Sequence, residues 1–152
     1  MINPSSSIQN IHLSLEKFLW DNIASPESLL LIHQDDSATR LDELLAVNSA
    51  VVWHTTSLSA GNKGEFTLYI GATTINDPGG IIRLTILDKL KNVLDINAGI
   101  PVFNYLEGLT TEKVNELAII GPVHIWPAFP DPVTRFITKH ASQKLKYAQR
   151  RV

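Results

Sequence analysis

The residues of this chain able to do chemistry are five histidines, a pair of adjacent aspartates and one glycine-led helix start. His12, His33, His54, His124 and His140 include no His-x-x-x-His or His-Glu-x-x-His pair. That spacing is what would set two imidazoles on one helix face as zinc ligands. Asp35 and Asp36 follow His33 in the sequence QDDS. Adjacent carboxylates can hold Mg²⁺ or divide acid and base roles, yet in a loop they more often begin a turn and stay solvated. Ser57 and Ser59 lack the Gly-x-Ser-x-Gly elbow that exposes a nucleophilic serine.

The segment INDPGGIIRLTILDKLKNVLD, residues 75–95, comes closest to a nucleotide motif. A P-loop needs Gly-x-x-x-x-Gly-Lys-Ser/Thr, because its lysine and hydroxyl handle phosphate and magnesium. Here Gly79 and Gly80 are followed by Ile-Ile-Arg-Leu-Thr, and no Gly-x-Gly-x-x-Gly fingerprint is present. The segment reads as a helix capped by Asp77 with Pro78 at its first position. The carboxylate of Asp77 would also compete with any anion drawn to the free N–H groups there. With no cysteines, thiolate metal sites and cysteine nucleophiles are excluded. No motif implies a catalytic residue, a metal or a cofactor, so the expectation is a non-enzymatic protein.

The elements that would position these residues follow from periodicity. Ile8, Ile11, Leu15, Phe18 and Leu19 recur at helical spacing, with Ser5 to Ser7 available as caps. The run LLLIH is ambiguous between a buried strand and a continued helix, and TRLDELLAV predicts a short helix. AVVWHTTSL (50–58) and EFTLYIGATT (65–74) flank a Gly/Asn cluster and predict an antiparallel hairpin. Val51, Trp53 and Thr55 would share one face of the first strand, and Phe66, Leu68 and Ile70 one face of the second. The 78–95 helix carries an apolar arc wide enough to need cover on more than one side. IPVFNY predicts a strand that Pro101 restricts to an edge or a strand start, TTEKVNELA a helical turn, and LAIIGPVHIW another strand.

Residues 122–132, PVHIWPAFPDP, hold four of the eight prolines and should form a stiff arm. Asp131–Pro132 then opens a predicted closing helix on which Val133, Ile137, Ala141, Leu145 and Ala148 form an i,i+4 or i+3 stripe. The expected fold is α+β: an antiparallel or mixed sheet packed with helices in the order α-β-β-α-β-β-α. At 152 residues one domain is expected. Residues 1–131 would form its body, and 132–152 a basic C-terminal helix or arm packed on it or on a neighbour.

Charge divides the chain in the same place. Residues 1–131 contain seven of the 13 Lys/Arg and all 15 Asp/Glu, a balance of −8. Arg135, Lys139, Lys144, Lys146, Arg150 and Arg151 give residues 132–152 a balance of +6. Three accounts suit such a segment: a surface helix whose cations match its dipole, docking on an acidic protein surface, or contact with DNA. The partner-binding candidates are Trp126 and Phe129 on the arm, with Arg135, Lys139, Lys146, Arg150 and Arg151. No apolar run approaches the ~18 residues of a membrane span, and MINPSSSIQN has neither the basic nor the apolar region of a secretory signal. Synthesis in the cytoplasm is therefore expected, without a membrane partner.

The leading helix IHLSLEKFLWDNI, the hairpin ending EFTLYIGATT, the helix after NDPGG, the further strands and the closing helix together resemble the small tail-terminator or tail-completion proteins of tailed bacteriophages and related contractile particles. The resemblance covers most of the chain and is carried by element order and length. It implies a virion structural protein made in the host cytoplasm, without a catalytic site. It also implies association into a homo-oligomeric ring, often hexameric, at the tail–neck junction. Its partners would be the tail tube or sheath and the head connector, with packaged DNA within reach. The proline-rich arm and the basic end depart from the family pattern. Two other classes remain open on the residues: a small cytosolic binding or immunity-like protein, and a metal-dependent hydrolase using Asp35, Asp36 and nearby histidines.

Overall fold

The computed structural model describes residues 3–56, 64–131 and 135–147. The leading helix, α1 (Ile8–Leu19), is capped as expected, with the Ser7 hydroxyl accepting from the Asn10 N–H at 3.2 Å. It runs on through a wide π-type segment, Trp20–Ala24, into the short α2 (Ser25–Glu27). The ambiguous run resolves as a strand, β1 (Leu30–His33), followed by α3 (Leu41–Leu45). The hairpin is present as β2 (Ser49–Thr55) and β3 (Glu65–Thr74), paired antiparallel with Trp53 opposite Ile70.

The rest of the chain comprises α4 (Ile81–Ile96), β4 (Gly99–Asn104), β5 (Leu109–Ile125), β6 (Phe129–Pro130) and β7 (Ile137–Tyr147). One mixed sheet runs in the order β1-β2-β3-β7-β5-β4, with β6 also paired to β7. Among the described residues only β1 and β2 pair in parallel; the other pairs are antiparallel. The class is α+β. Pro101 lies on β4, an edge strand, where its missing N–H costs no ladder bond.

Two predicted helical stretches are strands. The closing segment is β7, inserted between β3 and β5 rather than appended as a basic helix or arm. Ile137, Ala141 and Leu145 lie four apart, a spacing that fits a helix face and equally one face of a strand. The finer alternation decides it. Ala141, Gln143, Leu145 and Tyr147 are buried, while Lys144 and Lys146 between them are exposed. TTEKVNELA likewise belongs to β5, where Asn115 and Leu117 are buried two apart.

The inner face of the sheet packs on α1 and α4. Ile11, Leu15 and Leu19 from α1 and Leu90 and Leu94 from α4 meet Trp53, Leu68, Ile70, Ile100, Leu117 and Leu145 in one core. Polar groups of α1 fix its position. The Ser14 hydroxyl accepts from the Phe103 N–H at 2.9 Å, and Asn10 Oδ1 accepts from the Leu106 N–H at 3.0 Å. Both donors lie where β4 slips register against β5 or has just ended, so the helix supplies acceptors that the ladder lacks there. A smaller cluster of Ile32, Leu44, Ala50 and Phe136 seats α3 on the opposite, outer face.

The helix start at NDPGG is built more tightly than a simple cap. Pro78–Gly80 form a 3₁₀ turn, and Gly79 and Gly80 have φ of 70° and 69°, the left-handed region that favours glycine. The glycines are therefore required by this turn, not merely tolerated in a first helical turn. That turn lets the Asp77 carboxylate reach forward to accept from the Ile82 and Arg83 N–H groups at 2.9 and 3.1 Å. The Thr74 hydroxyl donates to the same carboxylate at 3.0 Å, and the buried Arg83 guanidinium lies 3.6 Å from it. Desolvation pushes the Asp77 carboxyl upward, but the two N–H bonds, the Thr74 hydroxyl and the Arg83 charge together hold it below the usual carboxylate range. Only part of the α4 arc is covered: Ile86, Leu87, Leu90 and Leu94 are buried, whereas Ile81, Ile82 and Leu84 are 62%, 44% and 43% exposed.

Asp77→Ala should remove the cap and strand the buried Arg83, lowering stability by about 2–5 kcal/mol. Urea unfolding measures this, and Asp77→Asn, which keeps an acceptor oxygen, should recover part of the loss.

Candidate functional site

The centre of the outer face, beyond α3, is an aromatic and imidazole surface rather than a covered layer. Its floor is Gly71 on β3. A Cβ there would come within 2.8 Å of Thr138 Cγ2 and 3.1 Å of His140 Nε2, so the absence of a side chain is what lets the His140 ring lie across the strand. His54 on β2 stacks on Tyr69 on β3 with centroids 4.9 Å apart and planes at 8°. His54 and His140 face each other edge to face at 6.2 Å.

The proline-rich segment forms the remaining wall. β5 leaves its pairing with β7 at a bulge, with Ile120 opposite Lys144 and His124 opposite Ser142. Gly121 takes φ of 70° within it, and the buried Gln143 amide donates to the Ile120 and Gly121 carbonyls at 2.9 and 3.1 Å. The chain then lies along β7. The Trp126 N–H donates to the His140 carbonyl at 2.9 Å and the Trp126 indole donates to the Ser142 hydroxyl at 2.8 Å. Phe129 stacks on His140 at 5.2 Å while its own strand, β6, pairs with β7. A cleft of about 430 Å³ results, lined by His54, Tyr69, Trp126, Pro127, Phe129 and His140.

Desolvation lowers the His54 pKa first, with the His33 charge adding to it; His140 is lowered by desolvation and then by His54. Both are therefore neutral at pH 7, and His54 Nδ1 is buried without a hydrogen-bond partner among the described residues.

Of the candidates named from sequence, Trp126 and Phe129 lie on this face, 44% and 52% exposed. Lys146 is exposed on the same face, opposite Glu65 on β3. Lys139 falls on the helix-side set of β7 and is half-buried, so alternation separates it from Lys146. Arg135 is exposed at the turn into β7, with φ of 66° and its N–H donating to the Asp131 carbonyl at 3.0 Å. Arg150, Arg151, Ser57 and Ser59 lie outside the described residues. Lys144, His54, Tyr69 and His140 also belong to the face; the two-residue alternation of β2, β3 and β7 was the signal for them.

The possible hydrolase constellation does not assemble among the described residues. Asp35 and Asp36 are exposed in a 3₁₀ turn, Gln34–Asp36, and His33 Nδ1 accepts from the Asp35 N–H at 3.2 Å. His33 instead packs with His12 and Trp53, centroids 4.7 and 4.6 Å away. Among the described residues no group of three or more His, Asp and Glu side chains is arranged to hold a metal ion.

These features define an α+β protein whose mixed sheet is covered by helices on one face and carries an open aromatic surface on the other. No family model and no curated protein matches the chain. A solved structure without a functional description superposes with a TM-score of 0.64, over 96% of this chain and 99% of that one, at 9% identity. The likeness shows a shared fold. No helix among the described residues is long and apolar enough to cross a membrane.

Because His12, His54 and His140 all have lowered pKa values, the unfolded chain binds more protons than the folded one as pH falls below the ordinary value near 6.5. Their contribution is fully present above that pH and is lost as pH falls from it through the depressed values. Thermal melts from pH 8 to pH 5 should show the midpoint falling below pH 6.5. The double variant His54→Gln/His140→Gln should flatten that fall.

Proposed function

We propose that this chain is a non-enzymatic virion structural protein, a tail-terminator or tail-completion subunit. Copies of it associate into a ring at the tail–neck junction, where the ring joins the tail to the head connector. The observation that carries the reading is that large apolar groups are held rigidly in exposed positions. Trp126 is fixed by two hydrogen bonds to β7 and Phe129 by strand pairing and stacking, yet both remain about half exposed. An aromatic side chain already ordered in the free subunit loses little further entropy on docking, which is the character of an interface anchor. Ile81, Ile82 and Leu84 add a second exposed apolar group at the start of α4.

The order of elements supports the same reading, with the closing helix replaced by β7. The arm at 122–132, a departure from the family pattern, is accommodated as a strap on the sheet as far as Asp131.

Sedimentation velocity over a wide concentration range should show a closed oligomer, and electron microscopy should show rings. Trp126→Ala with Phe129→Ala should weaken association at least about tenfold while leaving the circular dichroism unchanged. A wild-type protein that stays monomeric at high concentration, and is missing from assembled particles, would argue against the reading.

A further inference from the structure

Ion pairing divides the described cations without exception. Lys17, Arg40, Arg83, Lys89, Lys91 and Lys113 each pair with a carboxylate of the same chain. Arg135, Lys139, Lys144 and Lys146 form no ion pair among the described residues. Lys144 projects from the outer face beside Tyr69, His124 and Trp126, where these residues line a groove of about 510 Å³.

A complementary surface stands at the other end of the same face. On α3, Leu41 and Leu45 are 38% and 52% exposed one helical turn apart, with the exposed Asp42 beside them. Asp42 pairs with no lysine or arginine among the described residues. Glu43, by contrast, is taken by Arg40.

The two surfaces cannot meet within one subunit. α3 packs through Leu44 on Ile32, Ala50 and Phe136. Register sets Ala50 level with Thr73 and Thr138, and Lys144 lies six residues further along β7. At ~3.4 Å per residue that is a separation of ~20 Å along the strands, plus about 10 Å across two strand spacings.

We infer that the acidic, leucine-bearing knob on α3 of one copy docks on the Lys144–Trp126 groove of the next copy. The inference rests on the self-association proposed above and names its two surfaces. The contact is heterologous, since different patches meet, and repetition of such a contact closes a ring when the rotation allows. Nucleic acid is the poorer occupant. Phosphates approaching Lys144 would share the outer face with the exposed carboxylate of Asp42, whereas a second copy brings the matching sign to each patch.

The test is a charge exchange at two exposed positions, Lys144→Glu and Asp42→Lys, with wild-type melting behaviour as the control for folding. Each variant alone carries like charges on knob and groove, and its association should weaken about tenfold or more. An equimolar mixture of the two should assemble again, because every knob then meets a groove of opposite sign; the double variant should assemble by itself. Wild-type assembly should also weaken as salt is raised. If wild type assembles and both single variants assemble equally well, this interface is wrong while the ring reading stands. If the single variants fail and mixing does not restore assembly, the pairing of these two surfaces is wrong. Loss of DNA retention by Lys144→Glu with assembly intact would assign the groove to nucleic acid instead. A monomeric wild type would overturn both this inference and the reading it rests on.

Discussion

The structure depends on β7 pairing on both sides. β3 runs ten residues along one flank of it and β5 pairs with the other, so removing β7 would leave two long unpaired edges in the middle of the sheet. It would also remove Ala141, Leu145 and Tyr147 from the core beneath α1 and α4. A strand near the end of the chain thus joins a hairpin from its first half to a hairpin from its second. These pairings span large sequence separations, and their loop-closure entropy must be met before they stabilise anything.

The same strand builds the outer face. Its alternate residues put Leu145 into the core and Lys144 and Lys146 outside, while His140 lies over the gap left by Gly71. The bulge in β5 adds residues opposite Gln143, which turns the chain so that Trp126 reaches Ser142. A buried glutamine amide stabilises the carbonyls that the bulge withdraws from the ladder. Core packing and exposed surface are therefore coupled through one strand: a change in its register would exchange the two.

Much of the fold was legible locally. Ser7 and Asp77 acted as caps, and Trp53, Leu68 and Ile70 showed strand alternation across a turn. Pro101 marked an edge. In each case the signal lies within a few residues and one physical rule dominates. The misread segments lacked that property. Ile137, Ala141 and Leu145 satisfy helix and strand spacing alike, and a preceding Asp-Pro favoured the helix because the same pair does open α4. The candidate site was legible in part: Trp126 and Phe129 stood out by type and by their proline setting. His54, Tyr69 and His140 did not, because they come from separate strands and only pairing brings them together.

By itself the amino-acid sequence determined the caps, the hairpin, the amphipathic first helix and the segregation of charge, all of which are set by neighbours along the chain. The tertiary structure decided that the basic segment contributes a central strand and that Lys144 and Lys146, but not Lys139, face away from the helices. It also decided which aromatic rings share a surface. Those outcomes depend on backbone hydrogen bonds to β3 and β5, whose partners lie tens of residues away, and on the period-2 geometry that such pairing imposes.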